Sequence, residues 1–227
     1  MDTTKFNSYR YSHQQRSEID PMSKIRIKKM IECIDPCKKL LDIGCWDGYI
    51  MQQVLKSKRA RSTTGIDNSK PAIAACRKKK LDAYWVKTVD EKMPFKKNEF
   101  DAVLAGEIIE HLYDVNTFLK EINRVLKPGG QLIITTPNFA SLGSRLSVLL
   151  GKIPWMMENE LTPTSSGHIR YFTFDALTEI LGKNGFLVKK KNADVLNLGS
   201  RFYLNNDFLI KKMLTLGRVI IMQTKKI

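Results

Sequence analysis

The stretch LLDIGCWDG at residues 40–48 decides the fold of this chain. A short apolar run ends in a glycine-bearing turn, which indicates a buried strand that leads directly into a helix. Gly44 permits the tight turn, and Gly48 lets the following helix pack closely on the sheet. Backbone N–H groups at such a helix start face an approaching ligand. The stretch is therefore a candidate binding site at the end of a first strand.

Outward from this stretch, short apolar runs alternate with helical segments along the chain. Seven strands are predicted, at residues 40–43, 63–66, 83–86, 100–105, 131–136, 186–190 and 219–222. The clearest helices are predicted at residues 22–33, 49–55, 115–126 and 173–181, the last with Thr173 as its N-cap. Strands in regular alternation with helices predict an α/β protein with a Rossmann-like, doubly wound, mostly parallel sheet.

One domain is predicted, because 227 residues suffice for a single well-packed core. Residues 1–21 lack apolar periodicity and are predicted to form an N-terminal arm, and residues 22–227 form the domain. Residues 138–167 are an apolar insertion after the fifth strand, placed as a lid over an acceptor pocket. Flanked by Arg145 and Lys152, the insertion also suits an amphipathic segment that touches lipid. The alternative is a helix packed on the domain.

The charge of the chain is strongly positive, with 38 basic and 23 acidic residues and a net charge of +15. Basic zones at residues 52–81 and 183–227 could serve nucleic acid or a lipid surface, or solubility alone.

The four cysteines have neither zinc-ligand spacing nor a disulfide framework. Without a signal sequence or an apolar run of membrane-spanning length, the chain is expected to be cytoplasmic.

The second strand ends at Asp67, where a carboxylate is placed to accept both ribose hydroxyls of an adenosine. As an alternative, Asp67 caps the helix that follows. Trp46 stands where a dinucleotide fingerprint has its middle glycine, and its bulk would crowd a pyrophosphate. This position argues against NAD or FAD as the ligand.

Six segments together resemble the class I S-adenosylmethionine-dependent methyltransferases over residues 38–188. They are, in order, LLDIGCWDG, TGIDNS, VDEKMPF, NEFDAVLAGEIIEHL, FLKEINRVLKPGGQLIITTPN and GHIRYFT. The resemblance implies methyltransferase activity, S-adenosylmethionine as cofactor and an antiparallel last strand in the sheet. It also implies a set of cofactor-binding residues, namely Asp42, Gly44, Cys45, Gly48, Asp67, Asn68, Asp90 and Ala105.

Within that set, the resemblance places the methionine half of the cofactor at Asp42 and the two glycines, and the ribose at Asp67. The adenine would lie near Asp90, and the sulfonium near the backbone of Ala105 or Gly106. The sequence departs from the family at two places. Trp46 stands where glycine is usual, and the acidic residue of the adenine-contacting turn is displaced from its usual position.

Glu107, Glu110 and His111 follow the fourth strand at spacings i, i+3 and i+4 and share one face if they begin a helical turn. His168 follows the neighbouring fifth strand and could complete a divalent metal site. The pattern resembles two metal-dependent groups, the ubiquinone-biosynthesis O-methyltransferases and the small-RNA 3′-terminal 2′-O-methyltransferases, which bind the ion with such a run and a later His. Carboxylates combined with imidazoles suit Mg²⁺, Mn²⁺ or Fe²⁺ better than a structural zinc.

Two alternatives to the metal site stay open. In one, His111 is a metal-free general base and the neighbouring glutamates assist it. In the other, Glu110 is structural and pairs with Arg124 or Arg170. In the metal and base interpretations, His111, Glu107 and Glu110 are the candidate catalytic residues.

Three functions follow from these patterns. The first is O-methylation of a small-molecule, lipid-linked or glycan hydroxyl, which the apolar insertion favours. The second is metal-dependent RNA 2′-O-methylation, favoured by the charge, although the sequence shows no RNA-binding module and no aromatic-basic interleaving. The third is a non-catalytic S-adenosylmethionine-binding protein, against which the intact glycine turn and acidic cluster argue.

Overall fold

The computed structural model describes residues 19–89, 91–157, 167–198 and 202–227. The helices of these residues are α1 (Pro21–Glu32), α2 (Tyr49–Lys56), α3 (Lys70–Lys78), α4 (Val115–Val125), α5 (Leu142–Leu149), α6 (Phe174–Lys183) and α7 (Asp207–Lys212). The strands are β1 (Cys37–Ile43), β2 (Ala60–Asp67), β3 (Asp82–Trp85), β4 (Phe100–Gly106), β5 (Leu126–Pro137), β6 (Phe186–Ala193), β7 (Leu196–Asn197), β8 (Tyr203–Leu204) and β9 (Val219–Lys226). Short 3₁₀ turns lie at Ile109–His111 and Leu214–Leu216.

A seven-stranded sheet in the order β3-β2-β1-β4-β5-β9-β6 organises the molecule, and β7 pairs with β8 in a separate ribbon. β9 lies antiparallel between β5 and β6, whereas the pairs from β3 to β5 are parallel. The predicted Rossmann-like sheet with an antiparallel last strand is confirmed. The strand order reverses between β1 and β4, and in such sheets ligands bind beyond the carboxyl ends of the strands at this point.

Both faces of the sheet are covered, which explains the continuous apolar runs of the central strands. In β5, Leu132 and Ile134 join the cluster that includes Phe118 of α4. Ile133, between them, joins the opposite cluster with Met30 of α1. Each fully buried side chain of this size contributes about 1.5–3 kcal/mol of hydrophobic stabilisation, so the sheet is a rigid platform for the loops at its edge.

Polar side chains begin the helices around the site. The Asp20 carboxylate accepts the Ser23 N–H at the start of α1, and the Ser69 hydroxyl accepts the Ala72 N–H at the start of α3. The predicted cap at Thr173 is present, because its hydroxyl accepts the Ala176 N–H. Each such cap contributes about 1 kcal/mol. The first residues of these helices, and the loops that precede them, are thereby fixed.

The structure differs from the predicted turn after β4, and it describes only part of the predicted insertion and of the predicted N-terminal arm. The helical turn after β4 starts at Ile109, because Glu107 adopts a left-handed φ of 57° and stands outside it. The insertion at residues 138–167 contains α5, but residues 158–166 lie outside the described part of the chain, as do residues 1–18 of the predicted arm. Among the helices of the described residues, none is long and apolar enough to cross a bilayer.

Candidate cofactor and acceptor site

The glycine turn after β1 leaves no space for side chains at its two glycines. Gly44 and Gly48 have φ values of +72° and +78°, a region that L-residues with side chains rarely adopt. A Cβ at Gly44 would lie 2.3 Å from Cδ1 of Ile108, and one at Gly48 would lie 2.3 Å from Cδ1 of Leu81. The Gly44 N–H donates to the Ile66 carbonyl at 2.8 Å, which ties the turn to the end of β2.

Asp67 holds the glycine turn from the end of β2. Its Oδ2 accepts the Trp46 N–H at 2.9 Å and its Oδ1 accepts the Ser69 N–H at 2.8 Å. The side chain is only 6% exposed, and this burial raises the pKa of the carboxyl although three backbone hydrogen bonds lower it. The helix cap of α3 is Ser69, so the capping alternative for Asp67 gives way to a role in shaping the turn.

Other predicted cofactor residues surround this turn at different depths. Asp42 is buried at the end of β1, and Ala105 is buried near the end of the adjacent β4. The Cys45 thiol points into the sheet, since a Cβ on Gly65 of β2 would lie 2.6 Å from its sulfur. The Asn68 carbonyl accepts the Trp85 indole N–H at 3.0 Å. Asp90 lies outside the described residues.

A second cluster lies beyond the ends of β4 and β5. Glu110, His111 and His168 each offer one ligand atom, and these atoms lie within 4.8 Å of one another. Nε2 of His111 is 3.9 Å from Oε1 of Glu110, and the two imidazole rings are 5.0 Å apart. The structure thus brings together three of the four predicted metal ligands, from chain segments more than fifty residues apart.

Backbone carbonyls orient both histidines of this cluster. Nδ1 of His111 lies 3.1 Å from the Gly167 carbonyl, and Nδ1 of His168 lies 3.1 Å from the Met156 carbonyl. A carbonyl only accepts hydrogen bonds, so we assign the proton of each neutral ring to Nδ1. The Nε2 atom of each ring then carries the lone pair, the arrangement found when an outer carbonyl orients a metal-ligating histidine.

Glu110 is the most deeply buried member, at 1% exposure. Its Oε2 accepts the Thr136 hydroxyl at 3.0 Å, whereas no hydrogen-bond donor reaches its Oε1 among the described residues. Burial, with the nearby Glu107 charge, raises the pKa of this carboxyl well above its usual range. A buried carboxylate oxygen of this kind fits either a proton or a cation, so the donor set fits a divalent ion.

The alternative in which Glu110 pairs with Arg124 or Arg170 finds no support in the described contacts. Arg124 pairs with Glu121 at 2.6 Å and donates to carbonyls of residues 93 and 95. Arg170 donates to the carbonyls of Leu112 and Tyr113. The backbone of Glu110, rather than its side chain, is bonded to this region, because its carbonyl accepts the N–H groups of residues 169 and 170.

Glu107 faces a different neighbour. Its Oε1 accepts the Thr135 hydroxyl at 2.9 Å and lies 3.4 Å from Nη1 of Arg26 in α1. It is therefore outside the three-residue cluster, and its assignment as a ligand or base stays a prediction. Sequence reasoning missed Arg26; the available signal was a single arginine between the apolar residues Ile25 and Ile27 of the helix that precedes the first strand.

Much of the chain is similar in sequence to known methyltransferases. Residues 41–134 match the family model described as a methyltransferase domain. The chain is 32% identical over 159 residues to the mitochondrial ubiquinone biosynthesis O-methyltransferase of Homo sapiens, a match that covers 66% of this chain and 42% of that protein. It is 27% identical over 206 residues to the ubiquinone biosynthesis O-methyltransferase of Bradyrhizobium sp., covering 86% of this chain and 76% of the relative.

A solved structure shows the same fold at low sequence identity. The N-methyltransferase NodS of Bradyrhizobium japonicum, in complex with S-adenosylhomocysteine, superposes with a TM-score of 0.59 over 93% of this chain and 90% of that one. Its sequence identity is 15%, so the likeness concerns the fold. The chain spans less than half of the length of the human relative.

Proposed function

We propose that the chain carries a class I S-adenosylmethionine-dependent methyltransferase domain and that the protein methylates an acceptor hydroxyl. The observation that carries the proposal is the Glu110, His111 and His168 cluster beside the glycine turn. It groups two oriented imidazoles and a buried carboxylate at the edge of the sheet where the methyl donor would end. Such a group can position and deprotonate a hydroxyl.

The cofactor would span the ends of β1, β2 and β4. We assign the methionine half to the turn at Asp42 and Gly44, the ribose to Asp67, and the adenine to the loop that contains Asp90. Backbone N–H groups of residues 46, 68 and 69 bond to the Asp67 carboxylate, which has about four lone-pair sites and so retains acceptor capacity for a ribose hydroxyl. The sulfonium would then lie near Ala105, next to the acceptor cluster.

His111 would act as the general base. Because its Nδ1 proton is held by the Gly167 carbonyl, the lone pair of the neutral ring lies on Nε2. As the acceptor proton moves to Nε2, the acceptor oxygen bonds to the methyl carbon and the carbon–sulfur bond breaks, releasing S-adenosylhomocysteine. Holding donor and acceptor in line can contribute about 7–11 kcal/mol to such a step.

The same cluster would hold a divalent cation, with Mg²⁺ or Mn²⁺ suited to its oxygen and imidazole donors. Glu110 would supply an oxygen and His168 its Nε2 atom, which leaves Nε2 of His111 for the acceptor proton. A cation there would lower the pKa of the acceptor hydroxyl and orient it. Glu107, which is engaged with Arg26, would remain outside this set of ligands.

The acceptor class we favour is a hydroxyl on a small lipid-linked or glycan molecule. The two matched relatives are named as ubiquinone biosynthesis O-methyltransferases, which supports a hydroxyl acceptor. The exposed apolar residues near His168 support an acceptor with an apolar part. RNA is the second candidate, and the observation that favours it is the net charge of +15.

A methyl-transfer assay with isotopically labelled S-adenosylmethionine tests the proposal. The acceptors are a prenylated catechol, a small glycan and a short RNA with a free 3′ end. Transfer to the catechol or the glycan, abolished in His111→Ala with S-adenosylhomocysteine affinity intact, is the expected result. Transfer to RNA alone would replace the favoured acceptor class, and full activity of His111→Ala would remove the base assignment.

A further inference from the structure

The connection between β3 and β4 leaves one face of the sheet partly uncovered. Parallel strands are usually joined through a helix, but residues 86–89 and 91–99, the described part of this connection, contain none. Met93 and Phe95 pack beside α4 on this face instead. Over β1, β2 and β3 they leave a cleft of about 700 Å³, a volume typical of small-molecule pockets. We call it the β3 cleft; the residues that line it include Lys39, Thr64, Asp82, Tyr84, Lys92 and Lys96.

The β3 cleft is separate from the proposed cofactor site. The glycine turn and Asp67 lie at the carboxyl ends of β1 and β2, whereas Lys39 and Asp82 lie near the starts of β1 and β3. Thr64 precedes Asp67 by three residues, which is about 10 Å along a strand. Among the described residues, none that we assign to the cofactor or to the acceptor lines this cleft. A ligand in the β3 cleft would therefore be a second one.

Tyr84 presents a flat ring to the β3 cleft. The residue is 46% exposed, and its ring meets that of Phe95 edge to face with 6.2 Å between the centroids. Its hydroxyl donates to the Asp82 carboxylate, which also accepts the Thr64 hydroxyl at 2.8 Å. Ring and carboxylate are thus held in place before any ligand arrives. An exposed aromatic ring of this kind is a platform on which a nucleic-acid base can stack.

Two lysines of the connection bring positive charge to the same cleft. The Lys39 ammonium is paired with Glu99 at 2.6 Å, and Glu99 also accepts the Lys96 backbone N–H at 2.8 Å. Lys92 and Lys96 are exposed, and among the described residues no carboxylate lies within ion-pair distance of either ammonium group. Two such ammonium groups beside one cleft suit a phosphate.

The connection itself is fixed, so the cleft is preformed. Glu121 of α4 accepts the Met93 N–H at 2.6 Å, and Arg124 donates to the carbonyls of Met93 and Phe95. Arg124 in turn pairs with Glu121 at 2.6 Å. A preformed cleft loses less conformational entropy on binding than a loose loop would.

The donors and acceptors of the cleft favour a nucleotide over other anions. A nucleotide offers a base for Tyr84, a phosphate for the two lysines, and amino or hydroxyl donors for the Asp82 carboxylate. An acidic peptide would instead bring its carboxylates close to those of Asp82 and Glu99, and like charges repel. The sequence did not reveal this combination, because the aromatic ring and the lysines lie on two segments that the fold brings together.

We propose that the β3 cleft binds a nucleotide, either free or as one unit of a single-stranded RNA. The base would stack on Tyr84, and the phosphate would lie between the ammonium groups of Lys92 and Lys96. The proposal is independent of methyl transfer, because it uses no residue of the cofactor turn or of the acceptor cluster.

Two probes test the proposal on the full chain at about 0.15 M salt. Fluorescence anisotropy follows a fluorescein-labelled decaadenylate, and calorimetry follows AMP. The test variants are Tyr84→Ala and Lys92→Gln/Lys96→Gln. Their matched controls are Tyr203→Ala on β8 and Lys189→Gln/Lys191→Gln on β6, which remove the same groups from exposed positions elsewhere. Thermal unfolding verifies that each variant is folded.

Each test variant should lose at least about fivefold more affinity than its control, since one stacked base contributes about that much. Binding of AMP would identify a free nucleotide as a sufficient ligand, and binding of decaadenylate alone would identify an RNA strand. No binding of either probe, or equal losses in test and control variants, would overturn the proposal. Equal losses in the two lysine variants would show a general attraction of RNA to a chain of net charge +15.

AMP could also enter the proposed cofactor turn, so Asp67→Ala is titrated as well. This variant should retain an AMP site, and adding Tyr84→Ala to it should remove that site. Loss of all probe binding in Asp67→Ala would place the nucleotide in the cofactor turn and overturn the proposal, while supporting the proposed cofactor site. Failure of both probes to bind the wild type at the β3 cleft would leave the proposed methyl transfer standing.

Discussion

At the scale of single residues, Glu110 sets the character of the proposed acceptor site. Its carboxyl is almost fully buried, and one of its oxygens accepts the Thr136 hydroxyl. Desolvation of a carboxylate is costly unless a positive charge or a proton compensates it. In our proposal, His168 shares a cation with this carboxylate and His111 takes the acceptor proton beside it. We therefore interpret the buried carboxyl of Glu110 and the two oriented histidines as one site for a cation or a proton.

Replacing Glu110 by Gln should weaken Mn²⁺ binding at least about tenfold and reduce methyl transfer, because the amide removes the anionic ligand. Calorimetric titration with Mn²⁺ measures the first effect. Thermal stability should be retained, since Gln is neutral and the raised pKa shows that burial disfavours the charged form.

The matched control is Glu179→Gln, which removes an exposed carboxylate from α6 and should leave Mn²⁺ binding unchanged. Unaltered Mn²⁺ affinity in Glu110→Gln would argue against a metal at this cluster. A large loss of stability in the same variant would instead restore a structural role for Glu110.

At the scale of elements, the sequence predicted those strands and helix caps that depend on residues close together in the chain. The strands and the Thr173 cap follow from apolar periodicity and a side chain three residues from its partner. The turn after β4 was harder to predict, because Glu107 adopts a left-handed backbone conformation that the i, i+3, i+4 spacing does not reveal. That conformation turns its carboxylate toward α1 and away from the cluster.

The glycine turn should be the least tolerant element of the domain. Gly48→Ala combines a positive φ with a Cβ 2.3 Å from Leu81, and it should lower the free energy of unfolding by about 1–3 kcal/mol. The control is Gly182→Ala in α6, where no atom lies within 4 Å of the new Cβ. That variant should gain about 0.4–1 kcal/mol. Denaturant unfolding of both compares them, and equal stabilities would contradict the geometry of the turn.

Asp101 joins three elements at the other edge of the sheet. Its carboxylate accepts the backbone N–H groups of Lys38 and Lys39 and the Lys127 ammonium at 2.6 Å. Partial burial alone would raise its pKa, but these hydrogen bonds and the Lys127 charge lower the pKa below 3.8. A lowered native pKa stabilises the fold above the unfolded pKa, and the contribution is lost as the pH falls through the native pKa.

Asp101→Asn should therefore cost about 1 kcal/mol at pH 7, and the difference from wild type should shrink as the pH falls below about 3.8. Unfolding free energies measured across this range test the prediction. Asp175→Asn, an exposed carboxylate at the start of α6, serves as the control. A difference that stays constant with pH would show that the ionised form of Asp101 contributes nothing.

At the scale of the whole molecule, the two halves of the site differ in how far the sequence could predict them. Most of the proposed cofactor half, from Asp42 to Asp67, lies within a single strand-turn-helix-strand segment and follows from local order. The acceptor half is assembled from Glu110 and His111, from His168 and from the carbonyls of Met156 and Gly167. Its contacts depend on how the insertion after β5 folds back, which no local pattern encodes.

The sheet order explains why these halves meet. β1 and β4 are neighbours at the point where the strand order reverses, so the turn after β1 and the 3₁₀ turn after β4 lie side by side. β5 pairs with β4 and adds Thr135 and Thr136, whose hydroxyls hold Glu107 and Glu110. The residues that we propose for the methyl donor and for the acceptor thus share one edge of the sheet.

Calorimetric titration of S-adenosylhomocysteine into the wild-type protein and into Asp67→Ala tests this account most directly. We expect one binding site with a dissociation constant in the micromolar range for the wild type. The variant should bind at least about fivefold more weakly, because each lost ribose hydrogen bond contributes about 1 kcal/mol. Absence of binding to folded wild-type protein would contradict the central claim of a methyl-donor site at the glycine turn.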